Sequence, residues 1–303
     1  MSEERESPSP NRLGRIVEIS RVLEGSSMVN ALTVDVEDYY HVSAFESSVG
    51  FANWKKHESR IRGNVEKVLH ILAEHGVHAT FFALGWVGEH FPEVIKLIRS
   101  GGHEIATHGY AHRLIYSQAP EEFRSDVQRS LDIIQDITGE RVLGYRAPSF
   151  SVTEKSLWAI EILAECGLKY DSSICPARPL VHNRYGLPGT PTGPYQIRPG
   201  FWEFPITTFR LLGRDFPVGG GGWLRHYPFQ ITRWGMRRVN AEGRPALVYL
   251  HPWELDPDQP RLNGSLLPRF LHYRNLDKTA GRLQALCCDF RFARIRDILN
   301  LQD

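Results

Sequence analysis

Cysteine is scarce in this chain. There are four in 303 residues, Cys166, Cys175, Cys287 and Cys288. That density excludes a disulfide framework, and the spacing excludes paired zinc knuckles, so free thiols in a reducing compartment are expected. An excess of one charge is also missing. With 36 Lys and Arg against 35 Asp and Glu the formal net charge is +1, which leaves no footprint for nucleic acid or for an anionic membrane. No stretch reaches the ~20 apolar residues that a membrane helix needs. The longest, 79–87, reads as a buried strand running into a loop. Residues 1–27 are rich in Glu, Arg, Ser and Pro with no apolar segment, so a flexible leader and a cytoplasmic protein without a secretory signal are expected. No glycine-rich dinucleotide fingerprint follows the first strand candidate, which argues against a nucleotide-binding sheet.

What the chain does have is alternation. Short apolar runs that read as strands (29–34, 77–83, 104–107, 142–145, 246–250) are separated by segments of helical periodicity (64–75, 92–100, 120–138, 154–166). Strand and helix in turn imply an α/β fold with parallel strands and crossover helices. Asp35, Glu37, Asp38, His108, Arg146 and His251 all fall just beyond strand ends, where a parallel barrel keeps its site, so a barrel is preferred to an open sheet. We expect one domain over 28–301. Within it, 172–245 reads as a Pro- and Gly-rich insertion of irregular backbone over the barrel mouth, and 256–301 as an extension packed on the barrel. The four glycines at 219–222 fit a mobile flap, a tight backbone approach to sugar or a plain flexible loop.

The most informative stretch is His108-Gly109-Tyr110-Ala111-His112. On a helical turn this spacing puts two imidazoles on one side, and a neutral pair suits a divalent metal, zinc above all. A carboxylate is needed as third ligand, and the run Asp35-Val36-Glu37-Asp38 at the end of the first strand offers one.

Five segments read together: 33–38 (Thr-Val-Asp-Val-Glu-Asp), 107–112 (Thr-His-Gly-Tyr-Ala-His), 145–149 (Tyr-Arg-Ala-Pro-Ser), 170–173 (Tyr-Asp-Ser-Ser) and 250–254 (Leu-His-Pro-Trp-Glu). In order and spacing they resemble the polysaccharide deacetylases of carbohydrate esterase family four, which include chitin and peptidoglycan deacetylases. The likeness covers about residues 30 to 255. The stretches 219–223, 250–255 and 272–277 resemble the subgroup found in bacterial exopolysaccharide loci with exosortase systems.

The resemblance implies a distorted (β/α)7 barrel and a divalent metal, zinc or else cobalt, manganese or nickel, bound by one carboxylate and two histidines. His108 and His112 match the two histidines. Because side chains alternate along a strand, Asp35 and Glu37 share a face, which makes Asp35 the base and Glu37 the third ligand, with Asp38 the rival ligand. Arg146 would pair with Asp35, the Ser149 backbone N–H would bind the oxyanion, and His251 would be the general acid, with Asp171 either its carboxylate partner or only a turn residue. Tyr110, Trp253, Phe150 and Trp223 are candidates to stack on sugar rings. The implied activity is metal-dependent N-deacetylation of an N-acetylhexosamine in a polysaccharide or its precursor, in exopolysaccharide biosynthesis, with an N-acetylated glycan as partner. A cyclic-amide hydrolase and a sugar-binding pseudoenzyme are the alternatives.

Overall fold

The computed structural model describes residues 28–177 and 186–302. The expected leader 1–27 and part of the expected insertion, 178–185, lie outside the described residues. Eleven strands occur among the described residues: β1 (Val29–Val36), β2 (Thr80–Ala83), β3 (Glu104–Thr107), β4 (Gly144–Tyr145), β5 (Tyr170–Asp171), β6 (Tyr195–Arg198), β7 (Phe201–Glu203), β8 (Thr208–Leu211), β9 (Arg214–Pro217), β10 (Leu247–Leu250) and β11 (Arg291–Ala293). In the main sheet the order β10-β1-β2-β3-β4-β5-β7 is parallel throughout, and the antiparallel β6 extends it at one edge. This is the strand count of a (β/α)7 barrel. Between β7 and β10 there is no regular ladder. That seam is closed instead by the Thr207 hydroxyl, which donates to the Leu247 carbonyl (3.0 Å), and by the Tyr249 N–H, which donates to the Gly219 carbonyl (3.1 Å).

Period-two alternation explains the layers. Along β1, Ala31 joins a cluster with Phe82, Ala106, Tyr170, Leu247 and Tyr249 inside the sheet's curl. Leu32, Val34 and Val36 point the other way, onto the helices. The helix Ile61–Glu74 buries Val65, Val68, Ile71 and Leu72 there. Pro92 and Pro120 open the helices Pro92–Ser100 and Pro120–Thr138 at the first turn, where a missing N–H costs nothing, and Gly139 ends the second in the left-handed region (φ 67°).

Several expectations are corrected. Residues 85–90 form a helix (Gly85–His90), not a loop. The helix expected over 154–166 is a short 3-10 turn, Glu154–Ser156, followed by the helix Trp158–Glu165. Over its described residues, 172–177 and 186–245, the expected insertion is not of irregular backbone throughout. It supplies β7, the last parallel strand, a separate ribbon of β8 and β9, and the helices Gly221–His226 and Phe229–Ala241. Dense Pro and Gly there mark tight turns between short strands, which look alike in sequence. The glycines at 219–222 pack against the protein's own Tyr249 in place of the expected flap, loop or sugar contact: a Cβ on Gly220 would lie 2.0 Å from that ring. The tail is tied in more firmly than packing alone. β11 pairs with β1, and behind it the Ile295 and Arg296 N–H groups donate to Thr80 and to the buried Glu104.

Gly144 tests this packing. A Cβ there would sit 2.0 Å from the Tyr170 ring, and that ring cannot swing aside because its hydroxyl is bonded to Glu104 (3.0 Å). Gly144→Ala should therefore lower stability by at least ~1–3 kcal/mol, the usual cost of overpacking, as read from urea unfolding.

Candidate metal centre and active site

Glu37, His108 and His112 come together at the mouth, with their potential ligand atoms all within 4.8 Å of one another. Both His Nε2 atoms lie 3.0 Å from the same Glu37 oxygen, and the three side chains are no more than 5% exposed. The route to this convergence differs from the expected helical turn. Residues 108–112 are a loop after β3, with Gly109 at φ 72° and His112 at φ 52°. Asp126, on the helix Pro120–Thr138, accepts from the Tyr110 N–H (2.8 Å) and from that of Ala111. From the other side the Gly85 and Trp86 N–H groups, at the start of a helix, donate to the Gly109 and Tyr110 carbonyls. A loop held from both sides can keep two imidazoles fixed without helical geometry.

The donor set fits a cation. The Arg146 carbonyl lies 2.7 Å from His108 Nδ1 and can only accept, so Nδ1 carries the proton and the neutral ring turns the lone pair of Nε2 toward a carboxylate oxygen. Ser43 Oγ is 3.4 Å from His112 Nδ1 and can order that ring in the same way. Electron-rich atoms facing one another in a buried site call for a positive charge between them. Burial works to raise the Glu37 pKa, but the surrounding histidines, His112 and His251 first, outweigh it and hold the carboxyl well below its usual range, which shows the same demand for positive charge beside this carboxylate.

Asp38, the rival ligand, is turned away. Its carboxylate accepts from the Tyr39 N–H (3.0 Å), the Ser59 hydroxyl (2.8 Å) and the Arg60 N–H (2.8 Å), bracing the loop behind the site. The chain leaves the strand at Val36, and the Glu37 N–H folds back on the Asp35 carbonyl (2.9 Å), so Asp35 and Glu37 stay near one another while Asp38 departs.

Asp35 is buried against Arg146, whose NH1 lies 2.7 Å from Oδ1. Arg146 is fully buried. NH1 also donates to Thr33 Oγ1 (2.9 Å), Nε to the Ser172 carbonyl (3.1 Å) and NH2 to the Ser172 hydroxyl (2.9 Å). Its charged plane lies over Phe82, 4.1 Å from the ring centroid. The other Asp35 oxygen is 3.8 Å from His251 Nε2.

His251 sits just past β10, with 18% of its side chain exposed. Its partner is not Asp171. Glu254, three residues on, takes Nδ1 with one oxygen, and its other oxygen is held by Arg225 Nε (2.7 Å). Burial disfavours charge on the ring, but Glu37, Glu254 and Asp35 outweigh it and raise His251 to about 9. Asp171 belongs to a different buried cluster, bonded to Ser173 and in register with Glu203 on β7. Burial pushes its pKa up to about 6, and burial together with the neighbouring Asp171 charge raises that of Glu203 well above normal. Strand alternation is the physical reason: Tyr170 faces inward with Phe82 and Asp171 faces out.

Two expected sugar platforms are buried. The Tyr110 hydroxyl donates to Glu89, with Arg129 stacked on the ring. Trp253 is wedged between the rings of His251 (5.2 Å) and His272 (4.1 Å), nearly parallel to both. Both support the site from behind. Ser149 sits at the rim in a left-handed turn (φ 51°), 3.0 Å from the Ser43 hydroxyl. Phe150 packs edge-on against Tyr249, and Trp223 against Tyr227. Sequence reasoning missed Glu254, Arg225 and Asp126. Glu254 stood inside a quoted motif, and its three-residue offset from His251 was the available signal.

Two family models match the chain, one described as polysaccharide deacetylase over residues 53–170 and one as a domain of unknown function, DUF3473, over 172–300. A peptidoglycan deacetylase of Helicobacter pylori is 31% identical over 136 residues, 45% of this chain and 41% of that protein. The chain thus spans less than half the length of this relative. A chitooligosaccharide deacetylase of Azorhizobium caulinodans is 29% identical over 61% of this chain and 79% of its own length. In fold, the chain is similar to the crystal structure of a candidate polysaccharide deacetylase from Mycobacterium smegmatis, with a TM-score of 0.60 at 22% identity, covering 94% of each chain.

The geometry makes a specific expectation for metal content. Glu37→Ala, His108→Ala and His112→Ala should each strip a divalent metal from the purified protein, whereas Asp38→Ala should retain it. Elemental analysis decides, and metal loss in Asp38→Ala alone would reverse the assignment.

Proposed function

From the match of residues 53–170 to the polysaccharide deacetylase family, we propose that the chain hydrolyses the N-acetyl group of an N-acetylhexosamine in a polysaccharide or its precursor, with zinc as the metal and exopolysaccharide biosynthesis as the setting. One arrangement carries the reading. Asp35 with Arg146, and His251 with Glu254, both adjoin the Glu37–His108–His112 cluster. A sugar-binding pseudoenzyme needs none of these four buried charges.

Glu37, His108 and His112 would hold the metal, which when bound supplies Lewis acidity toward the acyl oxygen and acidifies water. Asp35 accepts the proton of the attacking water. Arg146 binds Asp35 Oδ1 and fixes its rotamer, so the free oxygen, Oδ2, is the one that works. The oxyanion that develops as the water adds is met by the backbone N–H of Ser149, whose left-handed turn the Ser43 hydroxyl supports. His251 then gives its Nε2 proton to the departing nitrogen as the C–N bond breaks, which releases a neutral amine and acetate. Glu254 on Nδ1 leaves Nε2 as the atom facing the reaction and stabilises the charged ring. Release of acetate from N-acetylglucosamine oligomers tests the function, and a metal-loaded protein that binds the oligomers without releasing acetate would be a pseudoenzyme.

Two variants separate the roles. Asp35→Asn should keep its metal and lose turnover, because an amide cannot take the water's proton. His251→Ala should keep metal and fold and lose ~10²–10⁴-fold on the amide, the usual contribution of a positioned acid. Its loss on nitrophenyl acetate should be smaller, because a phenolate leaves without a proton. Equal losses on both substrates would remove His251 from the acid role. Glu254→Gln removes the anion beside the ring, so the alkaline limb of the kcat/KM profile should move to lower pH.

A further inference from the structure

We propose that residues 261–274 form a docking surface for an anionic lipid bilayer at the rim of the active site. The near-zero net charge hides a local imbalance. Between Asp258 and Asp277 there is no acidic residue, while Arg261, Arg269 and Arg274 fall within that stretch. The helix Leu266–Tyr273 lies in its middle and leaves three large apolar side chains in solvent: Leu266 at 82%, Leu267 at 53% and Phe270 at 55% exposure. Arginines around a cluster of exposed leucine and phenylalanine are the composition of a segment that lies in a headgroup layer.

The segment is braced by contacts between its own ends. The Leu262 N–H donates to the Tyr273 hydroxyl (2.7 Å), folding its two ends together, and Arg261 stacks on the Tyr273 ring at 4.1 Å. Its inner side rests on the catalytic machinery. His272 stacks on Trp253, which stacks on His251. The same His272 ring meets Phe45 at 5.0 Å, two residues from Ser43, whose hydroxyl reaches His112. A bilayer touching Leu266, Leu267 and Phe270 would therefore lie beside the mouth. A second copy is the poorer occupant, because a two-fold contact through this patch would bring its arginines against their own copies. The proposal stands apart from the deacetylase reading and is tested without any assay of turnover.

The test is co-sedimentation of the full chain with phosphatidylcholine vesicles, with and without phosphatidylglycerol. Binding should require the anionic lipid and weaken with added salt. The triple variant Leu266→Ser, Leu267→Ser, Phe270→Ser should bind more than about tenfold more weakly, since it removes three apolar insertions. Arg261→Gln with Arg274→Gln, which leaves the apolar side chains in place, should bind weakly and lose its salt dependence. Thermal melts matching the parent confirm that the variants are folded. The proposal is overturned if the parent stays in the supernatant with anionic vesicles, or if both variants bind as the parent does. It is also overturned if sedimentation velocity shows a parent dimer that the triple variant splits while vesicle binding is unchanged.

Discussion

A single buried guanidinium organises the mouth of this barrel. Arg146 follows β4, reaches Thr33 and Asp35 on β1, and reaches Ser172 after β5. Its backbone carbonyl fixes the tautomer of His108. Strands that are short and far apart in sequence are thus held at their ends by one side chain whose donors find partners on both sides. A buried charge of this kind is costly unless fully bonded, and removing one partner would leave the other stranded. The candidate base is therefore also a structural counter-ion, which ties the acid–base chemistry of Asp35 to the closure of the sheet.

The parts of this arrangement that were legible in the sequence are those set by period and by chemical type. The short apolar run 29–34 predicts the strand, and alternation at its end puts Asp35 and Glu37 on one face. The Pro-opened, Gly-closed helix at 120–138 has the bounds found in the structure. What was illegible depended on backbone conformation or on partners distant in sequence. The spacing of His108 and His112 predicts a helical turn, whereas a left-handed loop clamped by Asp126 produces the same convergence. Asp171 lies in a motif that offers it as a partner for His251, but a strand position decides its face, and that face points away. Among Gly and Pro the short strands of 195–217 gave no periodic signal, because two to four residues per strand are too few to show one.

The assembly of the site crosses both matched families. His108, His112 and Arg146 lie within residues 53–170, His251 and Glu254 within 172–300, and Asp35 and Glu37 precede both. The second region also contributes β7 and β10, two of the parallel strands, and closes the seam through Thr207 and Gly219. Neither region by itself could close the sheet or complete the constellation.

The electrostatics of His251 show why the C-terminal region must be folded for that residue to work. Glu254 is a fully buried carboxylate. Alone it would take up a proton and cease to stabilise a charged imidazole. Arg225 prevents that, and burial of Arg225 is tolerated because NH1 donates to the carbonyls of Leu271 (3.0 Å), His272 (2.7 Å) and Arg274 (3.2 Å). Those carbonyls converge because the chain ends its helix at Tyr273 and turns through Asn275 in the left-handed region (φ 56°), and Asn275 in turn donates to the Arg225 carbonyl (2.8 Å). The chain of dependence runs from a helix end, through an arginine and a glutamate, to the ring nitrogen beside Asp35. The raised pKa of His251, to which Glu37 contributes most, thus also depends through Glu254 on backbone twenty or more residues downstream, at 271–275.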